Sequence, residues 1–168
     1  MFTWTIEFKI YNQALTASQI KALYNSVSNP EGVSSSFAKN IQNMPGALSN
    51  GLVGYWKMDE SSWTVDCSTT SVTDSSGNGQ NGKSCPSSTG PTGGATGKFG
   101  YGGLLDGNGD GVNVADSTIL DIGSNNITLS QWFKRTGNSN FGDGSALVDK
   151  NNGNTTAGYR MALSNNAN

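Results

Sequence analysis

The chain contains no histidine. That removes the commonest general base and metal ligand available near neutral pH, and with it any Ser–His or Cys–His catalytic pair. Charge is also scarce. Only 13% of the 168 residues are Asp, Glu, Lys or Arg, and the 10 basic and 12 acidic side chains leave a net charge of −2. No basic cluster stands out, so the electrostatic reason to bind nucleic acid is missing. No apolar run is long enough to span a bilayer. The opening MFTWTIEF lacks the charged region and cleavage pattern of a signal peptide. Apolar residues reach only 34%, and the polarity comes from Ser, Thr, Asn and 23 Gly rather than from charge. Those residues compete with the helical backbone or raise its entropy cost, so short strands and many turns are expected.

Two cysteines, Cys67 and Cys85, lie in a segment dense in Ser, Thr, Gly and Asn. Their spacing and number do not make a zinc site. Two unrelated thiols are one reading. A disulfide closing this loop is the other and the expected one, because a cross-link stabilises a floppy loop by about 3 kcal/mol. It would place the chain outside the reducing cytoplasm.

Along the chain, WTIEFKIY alternates as a strand, with Trp4, Ile6, Phe8 and Ile10 on one face and Thr5, Glu7 and Lys9 on the other. Thr16 and Gln19 form a capping-box pattern ahead of Ile20, Leu23 and Tyr24, so a short helix ending near Asn25 is expected. Pro30 and Gly32 punctuate the linker that follows, and SFAKNIQNM is a candidate second helix. From GLVGYWKMDE onward the texture is strand and turn. DSSGNGQNG is a tight-turn sequence, PSSTGPTGGATG is expected to be irregular, and KFGYGGLLDG, VNVAD, NITLSQWFKRT, SALVDKN and GYRMALSN are strand candidates. Near Gln131 the apolar rhythm breaks, which suggests a bulge or a change of buried face.

Four stretches in order, GLVGYWKMDE, DSSGNGQNG, GKFGYGGLLDGNGDGVNVAD and NITLSQWFKRT, resemble a laminin G-like domain of the concanavalin A-like lectin/glucanase superfamily, of the kind found in bacterial surface proteins. IEFKIYNQALTASQIKALYN resembles the end of such a domain rather than its beginning. The resemblance implies an all-β antiparallel sandwich, a jelly roll, with one or two short helices near the N-terminus. It divides the chain into the tail of one copy (1–26), a linker (27–50) and the first two-thirds of a second copy (51–168), cut from a longer precursor. First and last strands are neighbours in that sandwich, so the N-terminal strand is expected to fill the open place beside the second copy's first strand.

LLDGNGDGVNV carries Asp106, Asn108, Asp110 and Gly111 in the D-x-N-x-D-G order of an EF-hand loop. Position twelve of that loop is Ser117 rather than a bidentate Glu, and the flanks are not helical, so the EF-hand reading fails. Two readings remain. In one, the glycines supply turn conformations while Asp106 and Asp110 cap turn N–H groups. In the other, Asp106, Asn108 and Asp110 donate to a structural calcium, as the resemblance allows. The sequence departs from the family at Gly111, where an aromatic residue is common, and at Ile6, where an Asp is common.

The glucanases of the superfamily carry a Glu-x-Asp-x-x-Glu strand, absent here. Asp59 and Glu60 are adjacent and would point to opposite faces of a strand. No enzyme activity is expected. A glycan-binding or adhesion module is expected instead, with Trp63, Tyr101, Phe141 and Tyr159 as candidate stacking aromatics and Asp143 among nearby polar partners. For each aromatic the competing reading is a core or loop anchor. Trp56 and Trp132, inside strands, are expected in the core. Expected partners are glycans, a cell-surface polysaccharide or neighbouring domains of the precursor, at an extracellular or cell-surface location. A structural spacer repeat with no ligand is the alternative.

Overall fold

A computed structural model describes residues 2–28, 48–97, 100–135, 145–150 and 158–163. The candidate second helix, Phe141 and Asp143 lie outside the described residues. The described residues are mostly strand, with one α-helix among them and small, unclosed sheets.

The N-terminal strand β1 (Phe2–Tyr11) occupies the middle of the largest sheet. On one edge it pairs antiparallel with β2 (Leu52–Trp56), and further along with β5 (Tyr101–Leu104), which pairs in turn with β4 (Thr92–Thr96). On its other edge it pairs antiparallel along its whole length with β7 (Thr128–Arg135). The N-terminal strand therefore does lie beside the strand at 52–56. The irregularity expected near Gln131 falls on the opposite strand: Thr5 pairs with Phe133 and Glu7 with Trp132, leaving Ile6 as the extra residue of a bulge. Two further pairs complete the strands: β3 (Gly82–Cys85) with β6 (Gly111–Val114), and β8 (Ser145–Lys150) with β9 (Tyr159–Leu163).

Alternation in β1 gives its two faces different tasks. Phe8 and Ile10 are buried with Val53, Trp56, Met58, Val72, Leu120 and Ile122 in the core, and Phe8 stacks on Trp56 at 5.5 Å between centroids. Val112 and Val114 of β6 and Val148 and Tyr159 of the β8–β9 hairpin pack against this cluster. The other face is also covered: Tyr11 is 1% exposed and Lys9 8%. The Lys9 ammonium bonds to the Glu7 carboxylate and lies 4.4 Å from the ring centroid of Tyr55, its cross-strand partner. Pairing and a cation–π contact are what allow a lysine to be buried here. Trp132 shares this face and is half-buried rather than core, its ring 5.7 Å from that of Tyr24.

Helix α1 (Ala17–Ser28) starts with the expected reciprocal cap: Thr16 N–H donates to Gln19 Oε1 (2.8 Å) and Gln19 N–H to Thr16 Oγ1 (3.3 Å). It runs three residues past the expected end, to Ser28, and stops before the residue that precedes Pro30, where α conformation is disfavoured. Leu23 is buried, whereas Ile20 is 53% exposed. A 3₁₀ turn, η1 (Thr118–Leu120), follows β6 and drops Leu120 into the core.

The glycine-rich segment expected to be irregular forms β4. Gly has poor strand propensity, and the reason for it here is steric. The Trp63 indole lies so close to Gly93 of β4 and Gly103 of β5 that a Cβ at either position would overlap it.

Because β1 holds β2, β5 and β7 together, deleting residues 1–26 is expected to abolish cooperative unfolding. Calorimetry or denaturant titration checks this: an unchanged sigmoidal transition in the truncated protein would show that β1 is dispensable.

Candidate functional site

Acidic side chains do much of the local work in the loops that frame the core. Asp74, 8% exposed, accepts from the backbone N–H groups of Tyr55 (3.0 Å), Ser76 (2.9 Å) and Gln80 (2.9 Å) and from the Ser76 hydroxyl (2.8 Å). Burial pushes its pKa up, but these four donors outweigh burial and hold the carboxyl below its ordinary range. The DSSGNGQNG turn is thus built around one carboxylate and tied to β2. Asn78 Nδ2 donates to the carbonyls of Leu52 and Val53, and Trp56 Nε1 donates to the Gln80 carbonyl at 2.7 Å.

Glu60 accepts from Thr73 N–H (2.8 Å) and from Trp63 Nε1 (3.3 Å). Asp66 caps the turn at Cys67, accepting from the Thr69 hydroxyl and from the backbone N–H groups of Thr69 and Ser68; led by the hydroxyl, these bonds depress its pKa. Cys67 and Cys85 form the expected disulfide, with Cα atoms 4.8 Å apart, and Cys67 N–H donates to the Ser84 carbonyl. The cross-link joins this loop to the end of β3.

The acidic turn between β5 and β6 follows the same pattern. Asp106 N–H donates to Asp110 Oδ2, and Asn108 N–H donates to Asp106 Oδ1 at 2.7 Å. Gly107 and Gly109 have φ of 81° and 83°, whereas Gly111 needs no such freedom. Asp110 Oδ1 is buried without a hydrogen-bond partner among the described residues. Burial raises the Asp110 pKa against the opposing Asp106 N–H, and the Asp106 carboxylate raises it further. No group of three or more His, Cys, Asp or Glu side chains suited to a metal occurs among the described residues. Asp106, Asn108 and Asp110 form a capped turn.

The candidate site lies between the β1–β2 sheet and the β6 and β8–β9 strands. There a cleft of about 720 Å³ is floored by Phe8, Ile10, Trp56, Met58 and Val112. Its polar lining comes from Asp110, Asn113, Asp116, Gln131, Asp149, Lys150 and Tyr159, with Asp149 3.8 Å from Arg160 Nε. Volume, apolar floor and few polar groups match the usual form of a small-ligand site. Lys150 is clamped by Asp116 Oδ1 (2.7 Å) and Asp121 Oδ1 (2.9 Å), which joins β8 to the η1 loop. The hydrogen bond with Asp116 is the main reason its pKa is raised, with burial opposing. Burial raises the Tyr159 pKa as well, so near neutral pH its hydroxyl is a neutral donor and acceptor.

The candidate aromatics do not converge on this cleft. Among the described candidates only Tyr159, half-buried, lines it. Tyr101 stands 48% exposed on β5, away from the cleft lining. Trp63 requires correction: at 8% exposed and laid over the β4 and β5 glycines, it is a core anchor with no face free for stacking. Its loop position in the sequence hid this, although the glycines it packs against were the available signal. Lys150 and Asp116 were missed because a lone Lys in SALVDKN and a lone Asp in VNVAD carry no motif.

Comparison with protein-family models, with curated proteins and with solved structures finds no match in any of the three.

Two stability measurements follow. Trp63→Ala is expected to lower the unfolding free energy by about 3–5 kcal/mol, and Tyr101→Ala to change it by no more than about 0.5 kcal/mol. Comparable losses at both positions would contradict the packing described. Asp74→Asn is expected to lower stability by about 2–3 kcal/mol at neutral pH through loss of charge-assisted hydrogen bonds. A depressed folded-state pKa contributes stability that is fully present above the unfolded value of about 3.9 and is lost as pH falls through the folded value. The gap between wild type and variant should therefore hold from neutral pH down to mild acid and close only in strong acid. Denaturant midpoints across pH check the sign.

Proposed function

We propose that this chain is a non-catalytic, extracellular binding or adhesion module of the laminin G-like, jelly-roll kind, and that its ligand is a neutral carbohydrate held in the cleft. The observation carrying this reading is the cleft itself, with an apolar floor beneath Tyr159, Asn113 and Gln131. Neutral sugars offer C–H faces to apolar and aromatic surface and hydroxyls to amide and phenol groups. The mostly-strand fold and the Cys67–Cys85 cross-link support placement in an oxidising, extracellular setting. The pairing of β1 with β2 supports a tandem arrangement in which residues 1–26 come from a preceding copy. The acids at hand serve turns and ion pairs rather than facing each other as a hydrolytic pair, which supports a module without catalysis.

A second reading, a spacer repeat with no ligand, is favoured by two observations: Trp63 is buried, and Lys150 is satisfied internally by Asp116 and Asp121.

Glycan-array retention separates the two, run with added calcium and with a chelator. Specific retention that weakens about tenfold in Tyr159→Phe, a change that keeps the ring and removes one hydrogen-bonding hydroxyl, supports the binding module. Retention on no glycan in either buffer leaves the spacer. A chelator-dependent loss of retention, or a fall in melting temperature, would bring calcium back into the site.

A further inference from the structure

Asn–Gly recurs at 50–51, 78–79, 81–82 and 108–109 among the described residues. This dipeptide is the most prone to spontaneous deamidation, because glycine leaves its own N–H open to attack the Asn side chain. We propose that the fold selects among the four, and that Asn108 is the modification site while the other three are protected. The nitrogen of Gly109 attacks Asn108 Cγ, the N–Cγ bond forms, and Cγ–Nδ2 breaks. Ammonia leaves, the Gly109 N–H proton balancing it. Water then opens the succinimide at either carbonyl, giving an aspartyl or isoaspartyl residue at position 108 with no change of oxidation state.

At two of the protected sites a reacting group is held by bonds this path must break, and at the third the surrounding peptide is anchored. At 81–82 the attacking nitrogen is occupied, since Gly82 N–H donates to the Val72 carbonyl at 2.8 Å, and Asn81 Oδ1 accepts from Asp74 N–H at 2.9 Å. At 78–79 the leaving amide is held, with Asn78 Nδ2 donating to Leu52 (3.3 Å), Val53 (3.2 Å) and Ser76 Oγ (3.1 Å). At 50–51 the peptide is anchored on both sides. Gln13 Nε2 donates to the Asn50 carbonyl at 2.8 Å, Asn12 N–H donates to the Gly51 carbonyl at 2.8 Å, and the Asn12 and Gln13 side chains crowd Gly51.

Position 108 has none of this. Asn108 and Gly109 are both exposed, Gly109 has open space around it, and, although the Asn108 backbone N–H donates to Asp106 Oδ1, no described residue bonds to the Asn108 side-chain amide or the Gly109 N–H. Conversion would set a third carboxylate between Asp106 and Asp110, in the turn whose Asp110 lines the cleft.

The test is peptide mapping by mass spectrometry after ageing the intact folded chain at mildly alkaline pH, with a parallel sample in denaturant. Conversion at Asn108 is expected to outpace Asn78 and Asn81 by about tenfold, the factor set by releasing one hydrogen bond of ordinary strength, and the four rates should draw together in denaturant. Equal native rates at Asn78 or Asn81 and Asn108 would overturn the proposal. So would the same order of rates with and without denaturant, which would make sequence rather than fold the cause.

Discussion

Both hydrogen-bonding edges of β1 are occupied by strands from far along the chain, and the rest of the structure depends on that double pairing. Phe8 faces Trp56 across one edge, and Ile10 faces Leu129 across the other. The same strand therefore supplies the floor of the cleft and the link between its two walls. Its opposite face carries Glu7, Lys9 and Tyr11, where an ion pair and the Tyr55 ring make a buried lysine tolerable. Removal of either partner would leave a buried, uncompensated charge, which is far less favourable than never having buried the pair. Such contacts join the first residues to those beyond position 128, so the topology has high contact order and closes its largest loops late.

The acidic side chains show how a chain so low in charge keeps its long polar loops in order. Asp66, Asp74, Asp106, Asp110 and Glu60 each accept backbone N–H groups in a turn, and Asp116 and Asp121 are committed to Lys150. Carboxylates are strong acceptors for exposed backbone donors, and they take the place that regular secondary structure fills elsewhere. The abundance of Ser, Asn and Gly and the sparse acids are thus two sides of one device: glycine permits the turn and a neighbouring acid fastens it.

This division of labour also explains what the sequence disclosed. β1 was legible from alternation, α1 from its capping box, and the turn at 74–82 from its glycines and asparagines, because each is specified within about ten residues. The disulfide was legible because only one pairing exists. Trp63 and β4 were not legible, since a Gly-rich strand forms only where an indole from elsewhere fills the space its missing side chains leave. Ile6 as the bulged residue was misplaced onto the facing strand, because a break in rhythm on either strand of a pair has the same local signature. Lys150 became meaningful only when η1 brought Asp116 and Asp121 to it. The misses at Trp63, β4 and Lys150 share one cause, tertiary contact overriding local pattern.

The charge state of the cleft bears on which ligands suit it. Lys150 can meet an anion only by giving up two carboxylates at 2.7 and 2.9 Å. Desolvation raises the pKa of Asp110 and of Tyr159, and the Tyr159 hydroxyl is a neutral phenol near neutral pH. What the lining offers without breaking an existing bond is apolar surface, a phenol hydroxyl and the Asn113 amide. Those groups recognise a molecule by shape and neutral hydrogen bonds, the terms on which an uncharged sugar binds. A charged polysaccharide would have to compete with the Lys150 ion pairs in the cleft, and that competition tilts the proposed specificity toward neutral glycans.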